Sequence, residues 1–390
     1  MLNVVRQDII TAGTAVNAAR TAVTSAGTAV VPVANAGTAV NLEDVSKVFT
    51  QWQRSGKFKD LLRNLVKPEK KVVAALDHVS LKVNNGEFVA YAGANGAGKS
   101  TTIKILSGIL QPTSGAVTVL GMSPEKSRVE LMRRIGVVFG QRTELWWDHP
   151  ISVSFEWKKT VWNIPAEVYR HQLEMVTELL DLGDLLNTFA RELSLGQRMR
   201  ADLAMMLLHN PELIFLDEPT LGLDVLAKRQ MINFLKRINR EQGTTIIVTS
   251  HDMDDLEEMA QRIVLLSRGQ IAFDGSFDEL RQLTGNLCRI RLVFQGAGME
   301  AGTGAGAGLQ TGAAQSQGRM ADLMNGGDGG RSVRLLAANG NSCEYEFDTA
   351  EVPVNVMLRQ IALLDGIVDI EIRKAPIEQI VAELYTKWRG

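Results

Sequence analysis

Cysteine is nearly missing from this sequence: only Cys288 and Cys343 occur in 390 residues, far apart and in no C-x-x-C pair. That excludes a disulfide framework and a cysteine-based zinc site, and it suits a reducing compartment. An excess of charge of either sign is missing too. The formal net charge of −2 excludes the strongly basic footprint of a dedicated nucleic-acid binder. Long runs of large apolar residues are absent as well. Residues 21–40 carry no charge, but they are built mainly of Ala, Val, Thr and Gly, with Pro32 and no Leu, Ile or Phe, so no spanning helix is expected there. Residues 1–39 hold only Arg6, Asp8 and Arg20 as charged groups, and repeat the string AGTAV at 12–16, 26–30 and 36–40 with unequal spacing. This is low complexity without the basic start of a secretory signal, and a mobile, disordered N-terminal tail is expected.

The rest of the chain is globular in composition, and its length allows two or three domains. Structure is expected from about Val40. Residues 51–71 carry seven basic and two acidic side chains, with Phe58, Leu61, Leu62, Leu65 and Val66 at helical spacing. The apolar strand EFVAYA then leads into a glycine-rich loop and a helix, the signal of a parallel α/β sheet. Residues 151–210 read as helical, and short buried strands return at LIFLD, TIIVTS and RIVLLS. After about 285 the texture changes. LCRIRLVF alternates, with Cys288, Ile290, Leu292 and Phe294 on one face; residues 295–330 hold 12 of the 35 glycines; then two strands, a helix, the strand VDIEIR and a final helix follow. The glycine-rich piece cannot bury a core and is expected to be a flexible insertion in a small α+β domain.

Chemistry concentrates in two places. Gly93-Ala94-Asn95-Gly96-Ala97-Gly98-Lys99-Ser100 fits G-x-x-x-x-G-K-[ST], after a strand and at the start of a helix. Glycines let backbone N–H groups close around phosphate oxygens, and the helix N-terminus adds positive potential. Lys99 is expected to reach the β/γ-phosphates, Ser100 to ligate Mg²⁺, and Thr101 to line the same turn. The strand Leu213–Leu216 delivers Asp217 to the metal side, and the adjacent Glu218 is placed to polarise the attacking water.

With these residues the chain resembles the nucleotide-binding subunits of ABC transporters over about 40–285. Leu193-Ser194-Leu195-Gly196-Gln197 is similar to the family signature, Leu221-Gly222-Leu223-Asp224 to its D-loop, Gln141 to the loop glutamine that senses metal and water, and His251 to the switch histidine. Phe49 stands where the family stacks an aromatic on adenine. Two positions depart from the pattern, Leu195 in place of glycine and Ala94 in place of proline.

The resemblance implies a P-loop NTPase of ABC type, a mixed sheet core with a helical subdomain at about 145–210, followed by a small α+β domain at 286–390. Catalysis would rest on Glu218, His251 and Gln141. ATP would be held by Phe49, Gly93, Asn95, Gly96, Gly98, Lys99, Ser100 and Thr101, and by Ser194, Gly196, Gln197 and Asp224 of an opposite subunit. Mg²⁺ would be held by Ser100, Gln141 and Asp217. Two such subunits, a homodimer, would sandwich two ATP molecules and drive a separate integral-membrane permease from the cytoplasmic face, with no nucleic acid involved.

The stretches GVVFGQRTELWWDHP, LSLGQRMRADLA and SHDMDDLE are similar to ATPases of ABC-2-type exporters. Trp146 and Trp147 then either anchor a permease contact or fill the core of the helical subdomain. The basic face of 54–71 either lies in solvent or approaches anionic lipid. Soluble ABC ATPases of chromosome maintenance carry a long coiled coil, and those of translation usually carry two P-loops. This sequence shows no such coil and one P-loop. An importer ATPase and a regulatory module without turnover are the remaining alternatives; the presence of Glu218 and His251 argues against the second.

Overall fold

The computed structural model describes residues 37–52, 70–140, 142–283, 286–295, 333–339, 341–364 and 366–387. The N-terminal tail, the helical face at 58–66, most of the glycine-rich segment and Gln141 lie outside the described residues.

Three sheets organise these residues. The central one has six strands in the order β5-β6-β7-β3-β8-β9, formed by β3 (Phe88–Gly93), β5 (Ile135–Phe139), β6 (Leu213–Asp217), β7 (Thr245–Thr249), β8 (Arg262–Ser267) and β9 (Gln270–Ser276). The pairings among β5, β6, β7, β3 and β8 are parallel, and β9 closes the edge antiparallel to β8. Every residue of β3 and β7 is buried. A parallel strand covered on both faces needs such continuous apolar runs, and this is why FVAYA and TIIV read as they do.

Side chains along these strands alternate between two cores. Phe88, Ala90 and Ala92 of β3, Ile214 and Leu216 of β6, and Ile246 and Val248 of β7 face one core. Val89 and Tyr91, Leu213 and Phe215, and Ile247 face the other. Helices α3 (Ile151–Val161), α4 (Ala166–Leu179), α5 (Leu195–Leu207) and α6 (Val225–Gln242) contribute to the first core. The second core holds α1 (Lys99–Leu106), Leu131 of the short α2 (Arg128–Met132), and the antiparallel sheet β2-β1-β4. That sheet is built from β1 (Thr38–Trp52), β2 (Lys70–Asn84) and β4 (Ser114–Val119).

The third sheet is antiparallel, in the order β11-β12-β10-β13. Its strands are β10 (Leu287–Phe294), β11 (Val333–Asn339), β12 (Ser342–Asp348) and β13 (Ile367–Lys374). Ile290, Leu292 and Phe294 face α9 (Val354–Ile361) across a separate core, and Cys288 packs at its border, as the alternation of LCRIRLVF anticipates. The helices α7 (Met253–Met259) and α8 (Phe277–Gln282) flank the junction with the central sheet. The final helix, α10 (Ile377–Lys387), departs from a self-contained C-terminal unit. Its apolar residues Ile377, Ile380, Val381 and Leu384 are buried in the first core, beside the central sheet, instead of against β10–β13.

Candidate active site

Parallel strands present their C-terminal ends together, and loops at those ends form the binding crevice of open α/β sheets. Here β3 ends in the P-loop, β6 ends in Asp217 and Glu218, and β7, lying between them, leads to Ser250 and His251. One edge of the sheet therefore gathers the residues that the sequence scatters over about 93–251.

The P-loop backbone is tightly confined. Gly98 takes φ +117° as the residue before α1, and a Cβ there would lie 2.6 Å from the carbonyl oxygen of Ala75. No L side chain fits, so glycine is required for α1 to begin at this point. No side chain caps α1, so its first N–H groups remain available to an anion. Asn95 and Gly96 are exposed, and Ser100 and Thr101 are half-buried in the first turn. Lys99 is buried, and its Nζ donates to the carbonyl oxygens of Gly93 (2.6 Å) and Ala94 (3.4 Å). Burial lowers the Lys99 pKa from its ordinary value, against the opposing pull of Glu218 and Asp217.

Across the crevice, Thr249 Oγ1 donates to Asp217 Oδ1 at 2.6 Å, and the Glu218 N–H donates to Thr249 O at 3.0 Å. One threonine on β7 thus holds the Asp217 carboxylate and the Glu218 backbone at the end of β6. Sequence reading passed over Thr249 because it looks like an ordinary β-branched strand residue; its distinction is being the last residue of β7. Glu218 adopts φ +59°, a conformation that costs a non-glycine residue about 1–2 kcal/mol. His251 Nε2 lies 2.6 Å from Glu218 Oε1. An ionised carboxylate only accepts, so this contact places the proton on Nε2. Hydroxyl (Ser100) and carboxylate (Asp217) are hard oxygen donors, the kind that suit a small divalent cation.

Phe49 is half-buried on β1, with Lys47 Nζ 5.3 Å from its ring centroid. It pairs with Val73, two residues before Ala75, whose carbonyl lies against Gly98; this brings the ring's strand alongside the P-loop.

The signature residues belong to a different element. Ser194 and Gln197 form a complete capping box at the start of α5: Gln197 N–H donates to Ser194 Oγ (3.3 Å) and Ser194 N–H to Gln197 Oε1 (2.8 Å). A Cβ on Gly196 would sit 3.4 Å from Ala227 Cβ on α6. Asp224 Oδ1 accepts from the Ala227 N–H at 2.9 Å and caps α6. Among the described residues no hydrogen bond joins Ser194, Gly196, Gln197 or Asp224 to the P-loop of the same chain.

Two further links were not visible in the sequence. Lys228 on α6 bridges Asp252 (2.7 Å) and Asp255 (3.0 Å) at the start of α7, tying the D-loop helix to the segment after His251. Asp202 on α5 accepts from Thr143 Oγ1 (2.8 Å) and the Glu144 N–H (3.1 Å), which fastens the segment after residue 141 to the signature helix. Burial pushes the Asp202 carboxyl up to about 6.

Trp146, Trp147 and Trp157 are 38, 49 and 38% exposed, and Val153 and Val161 continue the apolar surface along α3. The Trp146 and Trp157 rings lie 5.5 Å apart. These tryptophans form a surface patch, not the interior of the helical layer. No helix among the described residues is long and apolar enough to cross a membrane.

A family model described as "ABC transporter" matches residues 76–221. The chain is 30% identical over 212 residues to the ABC transporter ATP-binding protein NatA of Bacillus subtilis, a match covering 54% of this chain and 86% of that protein. It is 35% identical over 215 residues to the probable multidrug ABC transporter ATP-binding protein YbhF of Escherichia coli, covering 55% of this chain but 36% of that one. It is 32% identical over 212 residues to the methionine import ATP-binding protein MetN of Carboxydothermus hydrogenoformans, covering 53% of this chain and 63% of MetN. The chain thus spans only about a third of YbhF and under two thirds of MetN. A solved dimeric ATP-binding cassette in a post-hydrolysis state, bound to ADP and Pi, aligns with TM-score 0.51 and 26% identity over 61% of this chain and 98% of that one.

Proposed function

This chain belongs to the family of ABC transporter ATP-binding proteins, and we propose that it is the ATP-hydrolysing subunit of an ABC-2-type exporter. The observation that carries the ATPase reading is the convergence of Lys99, Asp217, Glu218 and His251 at one end of the sheet, with His251 and Glu218 in contact at 2.6 Å. We read residues 40–285 as the ATPase domain and 286–390 as an accessory domain whose last helix returns to it.

The residues present fit the nucleotide. The loop at Gly98 leaves no room for a side chain, and the buried ammonium of Lys99 occupies carbonyls that phosphate oxygens would replace as partners. Gly93 to Thr101 would hold the phosphates, and Phe49 would pack on the base. Ser100, Asp217 and Gln141 would hold Mg²⁺, which when bound neutralises charge developing on the phosphates. Glu218 orients the attacking water and accepts its proton, and His251 fixes the Glu218 carboxylate and contacts the terminal phosphate. Ser194, Gly196, Gln197 and Asp224 would act on ATP held by a second copy. Closure of that dimer would move a separate permease, and hydrolysis would reset it.

Exposed Trp146 and Trp147 follow Gln141 within six residues, and we assign them to the permease contact at the cytoplasmic face of the membrane. Aromatic anchors of this kind often dominate interface energy. Import is the second reading, favoured by the similarity to a methionine import ATPase. Replacing Glu218 with Gln should slow hydrolysis by at least ~100-fold, roughly 3 kcal/mol of barrier, while ATP binding persists. Undiminished turnover would remove the general-base assignment. Co-purification with a polytopic membrane protein, followed by the direction of transport in vesicles, distinguishes exporter, importer and a non-transport ATPase.

A further inference from the structure

The C-terminal helix reaches the nucleotide site from far along the chain. Its buried face, Ile377, Ile380, Val381 and Leu384, anchors α10 in the core beneath the P-loop sheet. Tyr385 then donates its hydroxyl proton to the carbonyl oxygen of Leu266 at 3.0 Å. Leu266 on β8 pairs with Gly93, the last residue of β3 and the first of the P-loop. The contact is close: a Cβ on Gly93 would lie 2.7 Å from that same Leu266 oxygen. Burial raises the Tyr385 pKa from its ordinary value, against the opposing effect of the Ala94 backbone, so the phenol stays a protonated donor to Leu266.

The Gly93–Ala94 turn is therefore gripped from two sides. Lys99 Nζ holds its carbonyl oxygens, and the Tyr385 hydroxyl binds the Leu266 carbonyl that packs against Gly93. The same helix also touches the other arm of the crevice. Glu378 Oε1 accepts from the Met253 N–H at 3.0 Å, at the start of α7 and two residues after His251. Arg281 on α8 donates to the Ala375 carbonyl at 2.7 Å and so fastens the approach to α10.

We propose that Tyr385 is a positioning residue for the P-loop, its hydroxyl clasping the end of β8 against Gly93 so that the C-terminal helix sets nucleotide affinity. This rests on the nucleotide-binding reading above and concerns the regulation of that same site. The clasp acts on the ground-state shape of the phosphate loop. It leaves the Glu218–His251 pair alone, so it should alter KM for ATP more than kcat. Linkage then requires the reciprocal effect, in which nucleotide steadies α10.

The test uses the full chain. Tyr385→Phe removes one oxygen and keeps the ring. Its affinity for trinitrophenyl-ATP and its KM for ATP should weaken by about 2- to 10-fold, the range one hydrogen bond supplies, with kcat within about 2-fold of wild type. Tyr385→Leu removes the ring as well and should shift KM at least as far, with kcat again held. Hydrogen exchange over 377–387 should slow on adding ADP in the wild type and slow less in Tyr385→Phe. A purely structural role predicts instead a lowered Tm with unchanged KM, and equal slowing of exchange in the two chains. Either result overturns the clasp while leaving the ATPase reading intact. A wild-type chain that binds neither trinitrophenyl-ATP nor ADP overturns that reading and the clasp with it.

Discussion

Two helices begin with glycine-containing motifs in this molecule, and they meet anions on different terms. At α1 the residue before the helix is Gly98, in a left-handed conformation and without any capping side chain, so the first N–H groups keep their capacity for phosphate. At α5 the corresponding residue is Ser194, and a complete capping box with Gln197 already engages the Ser194 and Gln197 N–H groups within the chain. The first is a site prepared by backbone geometry alone. The second is a helix start already satisfied within the chain, which on the proposed function would exchange its cap for a ligand brought by another surface. Their buried ionisable groups differ in the same sense. Burial lowers the pKa of Lys99 on α1, which faces the crevice, whereas it raises that of Asp202 on α5, which grips a neighbouring loop.

The largest test of this contrast is Lys99→Ala. It should weaken ATP binding by at least about 100-fold, about 2.7 kcal/mol, while Tm holds or rises because a buried cation is removed. Isothermal titration and thermal unfolding read the two halves. If Tm collapsed, the lysine would be a structural strut of the loop.

Ser194→Asp separates capping from phosphate contact at the other helix. Aspartate caps as well as serine, so stability should stay within about 0.5 kcal/mol, yet hydrolysis should fall by at least about 10-fold as a carboxylate meets phosphate. Ser194→Ala should instead cost about 1 kcal/mol of stability. Wild-type turnover in Ser194→Asp would leave the serine with its capping role alone.

A smaller effect is expected at Asp202. Its carboxyl is raised to about 6 in the fold, so the folded state binds the proton more tightly than the unfolded chain. That stability is fully present below about pH 4 and is lost as pH rises through about 6. Asp202→Asn keeps an acceptor for Thr143 and Glu144 and should flatten this pH dependence by at most about 3 kcal/mol, as urea unfolding at pH 4.5 and 7 would show. An unchanged profile would mean another group governs that window.

How much of this could be read from sequence depends on distance along the chain. The P-loop, Asp217, Glu218 and His251 were legible because each directly follows a short apolar strand, and parallel strands bring their C-terminal ends together without further information. The alternation of LCRIRLVF gave the packed face of β10 for a similar local reason. Thr249, Lys228 and Asp202 have ordinary types at ordinary positions, and their roles arise from which elements pack side by side. The capping box at Ser194 is present as S-x-x-Q, but the same residues also fit the signature pattern, which masks it. Tyr385 is the extreme case. Its helix reads as part of the C-terminal region, and nothing local indicates that its apolar face completes the core beside the P-loop instead.

In the proposed function each chain holds half of two composite sites, the P-loop in one half and the signature of a second copy in the other. Sedimentation velocity of the Glu218→Gln chain with and without Mg-ATP tests it most directly. A monomer is expected without nucleotide and a dimer with it, reverting to monomer when Ser194→Asp is added. A chain that binds ATP yet stays monomeric at all nucleotide concentrations would contradict it.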